Sequence, residues 1–257
     1  MEVFFTAEAL MAFLTLTFLE IVLGIDNIIF ISIVTGKLPE NQRKKATRLG
    51  IFLAMFLRIG LLAGISYLIA LQYVILQVET SWLQIHMTGQ GLILLAGGLF
   101  LIYKSTKEIH EKVTDPHHDI EATKKQATSK FTGVIFQILV IDLVFSLDSI
   151  LTAVGMTSGI NGALPIMIAA VVISVLVMLF FAVPVGNFVN KNPTIQILGL
   201  SFLILIGFML ITESAHVSHA IIFDNEVGAI PKGYLYFAIA FSLGVEFLNM
   251  RVRKKES

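Results

Sequence analysis

The chain contains no cysteine, a single tryptophan and six prolines in 257 residues, and only 14% of its side chains are charged. Without cysteine there is no disulfide, no zinc–thiolate site and no iron–sulfur cluster, so any metal must be held by oxygen or histidine. Charge this sparse is foreign to a soluble domain, where about a quarter of residues are charged. Net charge is also absent, eighteen basic residues balancing eighteen acidic ones, and no nucleic-acid partner is expected.

Apolar residues fill the space. They make up 56% of the chain and come in runs of about twenty, enough for a helix to cross a hydrocarbon core of about 30 Å. The fold class expected is all-α, a polytopic membrane helical bundle of about seven transmembrane helices, near residues 7–34, 46–72, 89–106, 131–156, 163–187, 194–214 and 232–250. The N-terminal run is too long for a signal peptide and follows no basic region, so it is expected to be retained as the first helix. One long polar segment, 107–130, is read as a flexible cytoplasmic link. It separates a first three-helix repeat (1–106) from a second (131–214), with a seventh helix and basic tail over 232–257, all within one membrane domain spanning 1–257.

Sixteen of the eighteen Lys and Arg residues fall on one side of a seven-span chain; Lys232 lies opposite and Arg58 lies inside the second span. The positive-inside bias then puts the N-terminus outside and the C-terminus in the cytoplasm. Tyr67, Tyr73, Trp82, Tyr234 and Tyr236 fall near outer boundaries, where amphipathic rings anchor. Three helices per half make the second half enter from the opposite side, so the repeat is an inverted one, an architecture that places a transporter's site at the bilayer midplane.

The residues that demand an explanation are acids inside these runs. Glu20-Ile-Val-Leu-Gly-Ile-Asp26-Asn27 is answered 122 residues later by Asp142-Leu-Val-Phe-Ser-Leu-Asp148-Ser149. Glu20 corresponds to Asp142, Gly24 to Ser146, Asp26 to Asp148 and Asn27 to Ser149. A spacing of seven keeps Glu20 and Asn27, and likewise Asp142 and Ser149, on one helix face, whereas a spacing of six turns Asp26 and Asp148 away. Either two faces are polar or the helices are broken near Gly24 and Ser146. Each central charge costs ~2.5–3.5 kcal/mol on insertion scales. For Glu20, Asp26, Arg58, Asp142 and Asp148 together that is roughly 12–18 kcal/mol, comparable with the ~5–15 kcal/mol net stability of a typical protein. These groups must be paired, hydrated, protonated or ligated. Arg58 is the counter-charge. With all ionised the set carries −3; a divalent cation and one proton neutralise it. Carboxylate, Asn amide and Ser hydroxyl form a hard ligand set suited to Mn²⁺, Mg²⁺ or Ca²⁺. The plainer reading is that the acids serve as interhelical glue with Arg58.

At these residues the sequence resembles the TerC/Alx family of bacterial integral membrane proteins. The blocks Glu20 to Phe30 and Asp142 to Gly155 look like its two signature blocks. Gly97-Gly98-Leu-Phe-Leu-Ile-Tyr-Lys104 with Lys107-Glu-Ile-His-Glu111, and Pro231-Lys-Gly-Tyr234, are similar to it as well. The resemblance covers nearly the whole chain. It implies a multi-pass protein of the bacterial cell membrane, in a family tied to tellurite resistance and manganese efflux, including metal supply to exported enzymes. By this resemblance Glu20, Asp26, Asn27, Asp142 and Asp148 carry over as the ion pathway, and Ser149 joins them through the hard ligand set.

The function expected is export of divalent cations, manganese first, by proton antiport, without enzymatic activity and without a resident cofactor. The expected partners are the lipid bilayer, the divalent cation and protons, with room for a homo-oligomer or membrane protein partners. Two alternatives are an assembly protein acting in metal or tellurite stress without transport, and an intramembrane aspartyl protease. The sequence lacks the Gly-x-Gly-Asp block expected of the latter. Glu213 reads as an interfacial residue, Glu246 as snorkelling or as a partner of Arg251 or Arg253 in preference to an entry ligand, and His117, His118, His216 and His219 as solvated loop residues. Gly89-Gln-Gly91 and Gly97-Gly98 read as close helix packing.

Overall fold

The computed structural model describes residues 6–64, 72–114, 124–157, 159, 160 and 162–256, without the side chains of residues 25, 26, 124–129, 148 and 254–256. Among these residues the order is α1 (Ala7–Gly36), α2 (Glu40–Ala63), β1 (Val74–Glu79), β2 (Leu83–Thr88), α3 (Gly89–Thr114), α4 (Lys124–Thr157), α5 (Ala163–Lys191), α6 (Pro193–Val217), β3 (Ile221–Ile222), β4 (Asn225–Glu226) and α7 (Lys232–Glu256).

Six of these helices, all but α3, are long and apolar enough to cross a membrane. The protein is a polytopic helical membrane protein. In α3 the apolar stretch is diluted by Gly89-Gln90-Gly91 at its start and by Lys104, Lys107 and Glu108 further along. Helix ends follow local chemistry. Thr6 is extended and its hydroxyl accepts the Ala9 N–H, satisfying one of the free donors of the first turn of α1. Pro39 precedes α2 and Pro193 opens α6, where a missing N–H costs nothing. The first connection is shorter than the sequence suggests. Glu40-Asn-Gln-Arg43-Lys44-Lys45 already lies in α2, and Arg43 Nε donates to the Leu38 carbonyl.

The chain forms two compact units. The first holds α1, α2, α4 and α5. In it α1 packs along α5, and α2 along α4 and α5. Small residues set these approaches. Gly24 of α1 receives Met178 of α5, Gly186 of α5 receives Ser32 of α1, and Gly36 of α1 receives Asn190 of α5. Gly50 of α2 receives Ile138 of α4, so a Cβ there would come within 2.9 Å of its Cδ1. The polarity of this unit is inverted relative to a soluble bundle. Phe18, Phe52, Phe56, Phe180 and Phe181 are exposed, while Glu20, Arg58 and Asp142 are buried. That arrangement is stable only where the surrounding solvent is hydrocarbon.

The second unit holds α3, α6, α7 and a four-stranded antiparallel sheet, ordered β1-β2-β3-β4. Helices α3 and α6 meet backbone to backbone. A Cβ on Gly98 would lie 2.6 Å from the Gly207 carbonyl, and one on Gly207 2.8 Å from the Gly98 carbonyl. Small residues permit this approach where lipid gives helices no hydrophobic reason to associate. The Ser214 hydroxyl donates to the Gly91 carbonyl in the same seam.

The sheet is a departure from the all-α expectation. Leu76, Val78, Leu83, Ile85 and Met87 alternate with Gln77, Glu79, Gln84 and His86, a period of two that suits strands. The register pairs Leu76 with Met87 and Val78 with Ile85 on one face, and Gln77 with His86 and Glu79 with Gln84 on the other. Phe223 and Asp224 make the β3–β4 turn with φ of +49° and +61°, the left-handed pair of a tight hairpin.

Candidate functional site

Both acid motifs lie on unbroken helices. Helix α1 is continuous through Gly24 and α4 through Ser146, so the polar residues are placed by ordinary helical periodicity. On α1 the residues Thr17, Glu20, Gly24 and Asn27 follow at intervals of three and four and share one face. On α2 the buried stripe runs Ala46, Gly50, Ala54, Arg58 and Leu62. The contact of Gly50 with Ile138 brings α2 beside α4, and two turns further on Arg58 meets Asp142.

Arg58 is 3% exposed, Glu20 5% and Asp142 6%. Its guanidinium joins both acids. Nη1 donates to Glu20 Oε2 at 2.5 Å. Nη2 donates to Asp142 Oδ1 at 2.5 Å, and Nε contacts Oδ1 and Oδ2 at 3.2 and 3.1 Å. This is the planar fork that arginine offers and lysine does not. Asn27 Nδ2 donates to Asp142 Oδ1 at 3.3 Å. The Ser146 hydroxyl donates to the Asp142 carbonyl at 2.6 Å and lies 3.2 Å from Oδ2. With all three groups ionised, the Glu20–Arg58–Asp142 cluster carries −1.

Of the residues expected at the site, the structure brings together Glu20, Asn27, Asp142 and the counter-charge Arg58. Ser149 is buried on α4, and its hydroxyl donates to the Ser146 carbonyl at 3.3 Å. The side chains of Asp26 and Asp148 lie outside the described residues. Among the described residues no group of three or more His, Asp or Glu side chains is gathered in metal-holding geometry. Two polar residues near the cluster were not singled out as ligands from the sequence. Ser146 corresponds to Gly24 in the motif and was considered only as a small residue at a candidate break in the helix. Thr17, one turn before Glu20, has a buried hydroxyl without a hydrogen-bond partner among the described residues; the period of α1 is the signal that could have marked it.

Elsewhere, Glu246 pairs with Arg253 at 3.2 Å, and Arg251 lies over the Phe247 ring. His216, expected in a solvated loop, lies instead in the last turn of α6 and is half-buried, whereas His219 is exposed just beyond the helix. His117 and His118 lie outside the described residues.

Comparison with known proteins agrees with this architecture. The integral membrane protein TerC family matches residues 5–257. A UPF0053 protein of Haemophilus influenzae is 47% identical over 248 residues, covering 96% of this chain and 95% of its own. The UPF0053 inner membrane protein YgdQ of Escherichia coli K12 has the same identity and coverage. The UPF0053 inner membrane protein YoaE of that organism is 44% identical over 241 residues, spanning 94% of this chain but 42% of the longer relative. No solved structure matches the chain. The chain is thus a multi-pass protein of the bacterial inner membrane and belongs to the TerC family.

Proposed function

We propose that the protein is a secondary transporter that exports divalent cations, Mn²⁺ foremost, in exchange for protons, and that the acids of α1 and α4 form its ion path. The observation that carries this reading is the buried Glu20–Arg58–Asp142 cluster, in which corresponding acids of the two motifs meet at one guanidinium. Such a cluster is expensive as a purely structural device. Apolar side chains of similar volume usually do as well or better, and ionisable groups within membrane spans mark ion pathways. Asp26 and Asp148, whose side chains lie outside the described residues, complete the proposed set. With Arg58 the four acids leave −3, which one divalent cation and one proton bring to zero.

The wider architecture of the proposal is seven crossings with the N-terminus outside. Helix α3 supplies the seventh, supported by its backbone contact with α6, itself apolar enough to span. The inverted repeat is supported by the packing in the first unit. Exchanging α1 with α4 and α2 with α5 turns the α1–α5 pair into the α4–α2 pair, and both pairs are packed. A protease dyad is disfavoured at Glu20 and Asp142, because both carboxylates are engaged by the Arg58 guanidinium.

The test is flux into proteoliposomes under an imposed pH gradient, across Mn²⁺, Mg²⁺, Ca²⁺, Zn²⁺ and Fe²⁺. Uptake of Mn²⁺ driven by the gradient is expected. Asp26→Asn and Asp148→Asn each abolish it while the protein still inserts. Undiminished manganese flux in the double variant would remove these residues from the path.

A further inference from the structure

Met178 of α5 is buried, and its thioether lies against Gly24 of α1. A Cβ added at Gly24 would overlap the Met178 sulphur and sit 3.2 Å from its Cγ and 3.4 Å from its Cε. Gly24 stands one turn after Glu20 and one turn before Asn27, on the same helix face. The sulphur is therefore seated on the stripe that carries the two α1 members of the ion cluster, Glu20 on Arg58 and Asn27 on Asp142. The Thr17 hydroxyl, without a hydrogen-bond partner among the described residues, belongs to that stripe too. In the other motif the place of Gly24 is taken by Ser146, whose Oγ lies 3.2 Å from Asp142 Oδ2. One turn past each acid of the cluster, then, stands one heteroatom: a hydroxyl oxygen beside Asp142, a thioether sulphur beyond Glu20.

We propose that Met178 is the soft donor of the ion path and biases it toward transition-metal cations over Mg²⁺ and Ca²⁺. This rests on reading the chain as a divalent-cation transporter. A thioether is uncharged, so it leaves the charge balance of the acids unchanged and acts only on which cation is preferred. Mg²⁺ and Ca²⁺ bind oxygen and gain nothing from sulphur, whereas transition metals, and Cd²⁺ more strongly, do. The chain has no cysteine, so methionine is its only sulphur-bearing residue. The absence of a side chain at Gly24 is what admits the sulphur to this face. A methionine that merely fills space would accept leucine with no effect on ion preference.

The experiment compares the purified full-length protein with Met178→Leu and Met178→Gln. Binding of Mn²⁺, Cd²⁺, Mg²⁺ and Ca²⁺ is measured by calorimetry, and flux of the same ions in proteoliposomes. Cd²⁺ affinity is expected to fall by about tenfold or more in Met178→Leu, the lower end of what a residue supporting a metal site contributes. Mn²⁺ affinity falls less, and Mg²⁺ and Ca²⁺ affinities stay put. Met178→Gln shows the same loss of Cd²⁺. X-ray absorption at the cadmium edge of the wild-type protein shows a sulphur neighbour. An all-oxygen shell there overturns the proposal whether or not the variants fold. So does an unchanged ratio of Cd²⁺ to Ca²⁺ affinity in Met178→Leu. Sulphur-dependent binding in a protein that moves no ion across the bilayer sustains the assignment of Met178 and sinks the transport reading instead.

Discussion

Arg58 is the residue on which the described cluster turns. It satisfies two carboxylates on two other helices, and its removal strands both in the buried interior of the first unit. Replacement by Met is expected to destabilise the folded protein by ~3–5 kcal/mol, as for breaking other buried pairs from one side. Adding Glu20→Gln and Asp142→Asn to that variant should recover most of the loss, because no unpaired charge then remains. Thermal or denaturant unfolding in detergent measures both. Arg58→Lys should fall between, since a single ammonium cannot reach two carboxylates with the fork geometry that the guanidinium supplies. That Arg58 would face the acids could be read from its position, as the one cation deep within the expected spans. Which acids it would meet could not, because partner choice depends on how α2 lies against α4, and Gly50 sets that through a tertiary contact.

Among the elements, the helices were the most legible because their apolar runs have the length of a bilayer crossing. Their starts were less so. Helix α2 begins at Glu40 within a basic stretch read as loop, since Glu, Gln, Arg and Lys are good helix formers as well as polar. The hairpin over residues 74–88 was missed for a different reason. Its alternation of apolar and polar residues is visible in retrospect, but its residues fell between spans and were assigned to a loop. Met178 could not be found in advance at all, for nothing in an apolar helix marks which methionine meets a glycine on another. The α3–α6 seam carries a prediction of its own. Gly98→Val or Gly207→Val forces backbone against side chain where the closest neighbour is a carbonyl. A stability loss of at least ~1–3 kcal/mol is expected from such overpacking, read as a lower melting temperature. Gly133→Ala is the control, as nothing lies within 4 Å of the added methyl group, and it should leave the melting temperature unchanged or slightly higher.

For the whole molecule, membrane class and family were open to the sequence, and the matches to inner membrane relatives agree. Orientation is a prediction that the chain is well suited to test. With no cysteine of its own, any introduced thiol reports alone. Ser81→Cys, in the β1–β2 turn, should react with a membrane-impermeant maleimide in intact spheroplasts. Gln42→Cys, near the start of α2, should react only after permeabilisation. The reverse pattern would invert the proposed topology.

The three-way joint at Arg58 also constrains how the first unit is able to move. Helices α1, α2 and α4 are tied at a single planar group, so turning α2 by one residue, about 100°, would withdraw the guanidinium from Glu20 and Asp142 together. Rotation of α2 thus unlatches both carboxylates together, whereas a shift of α1 alone parts only Glu20 from Nη1 and leaves Asp142 held through Nε and Nη2.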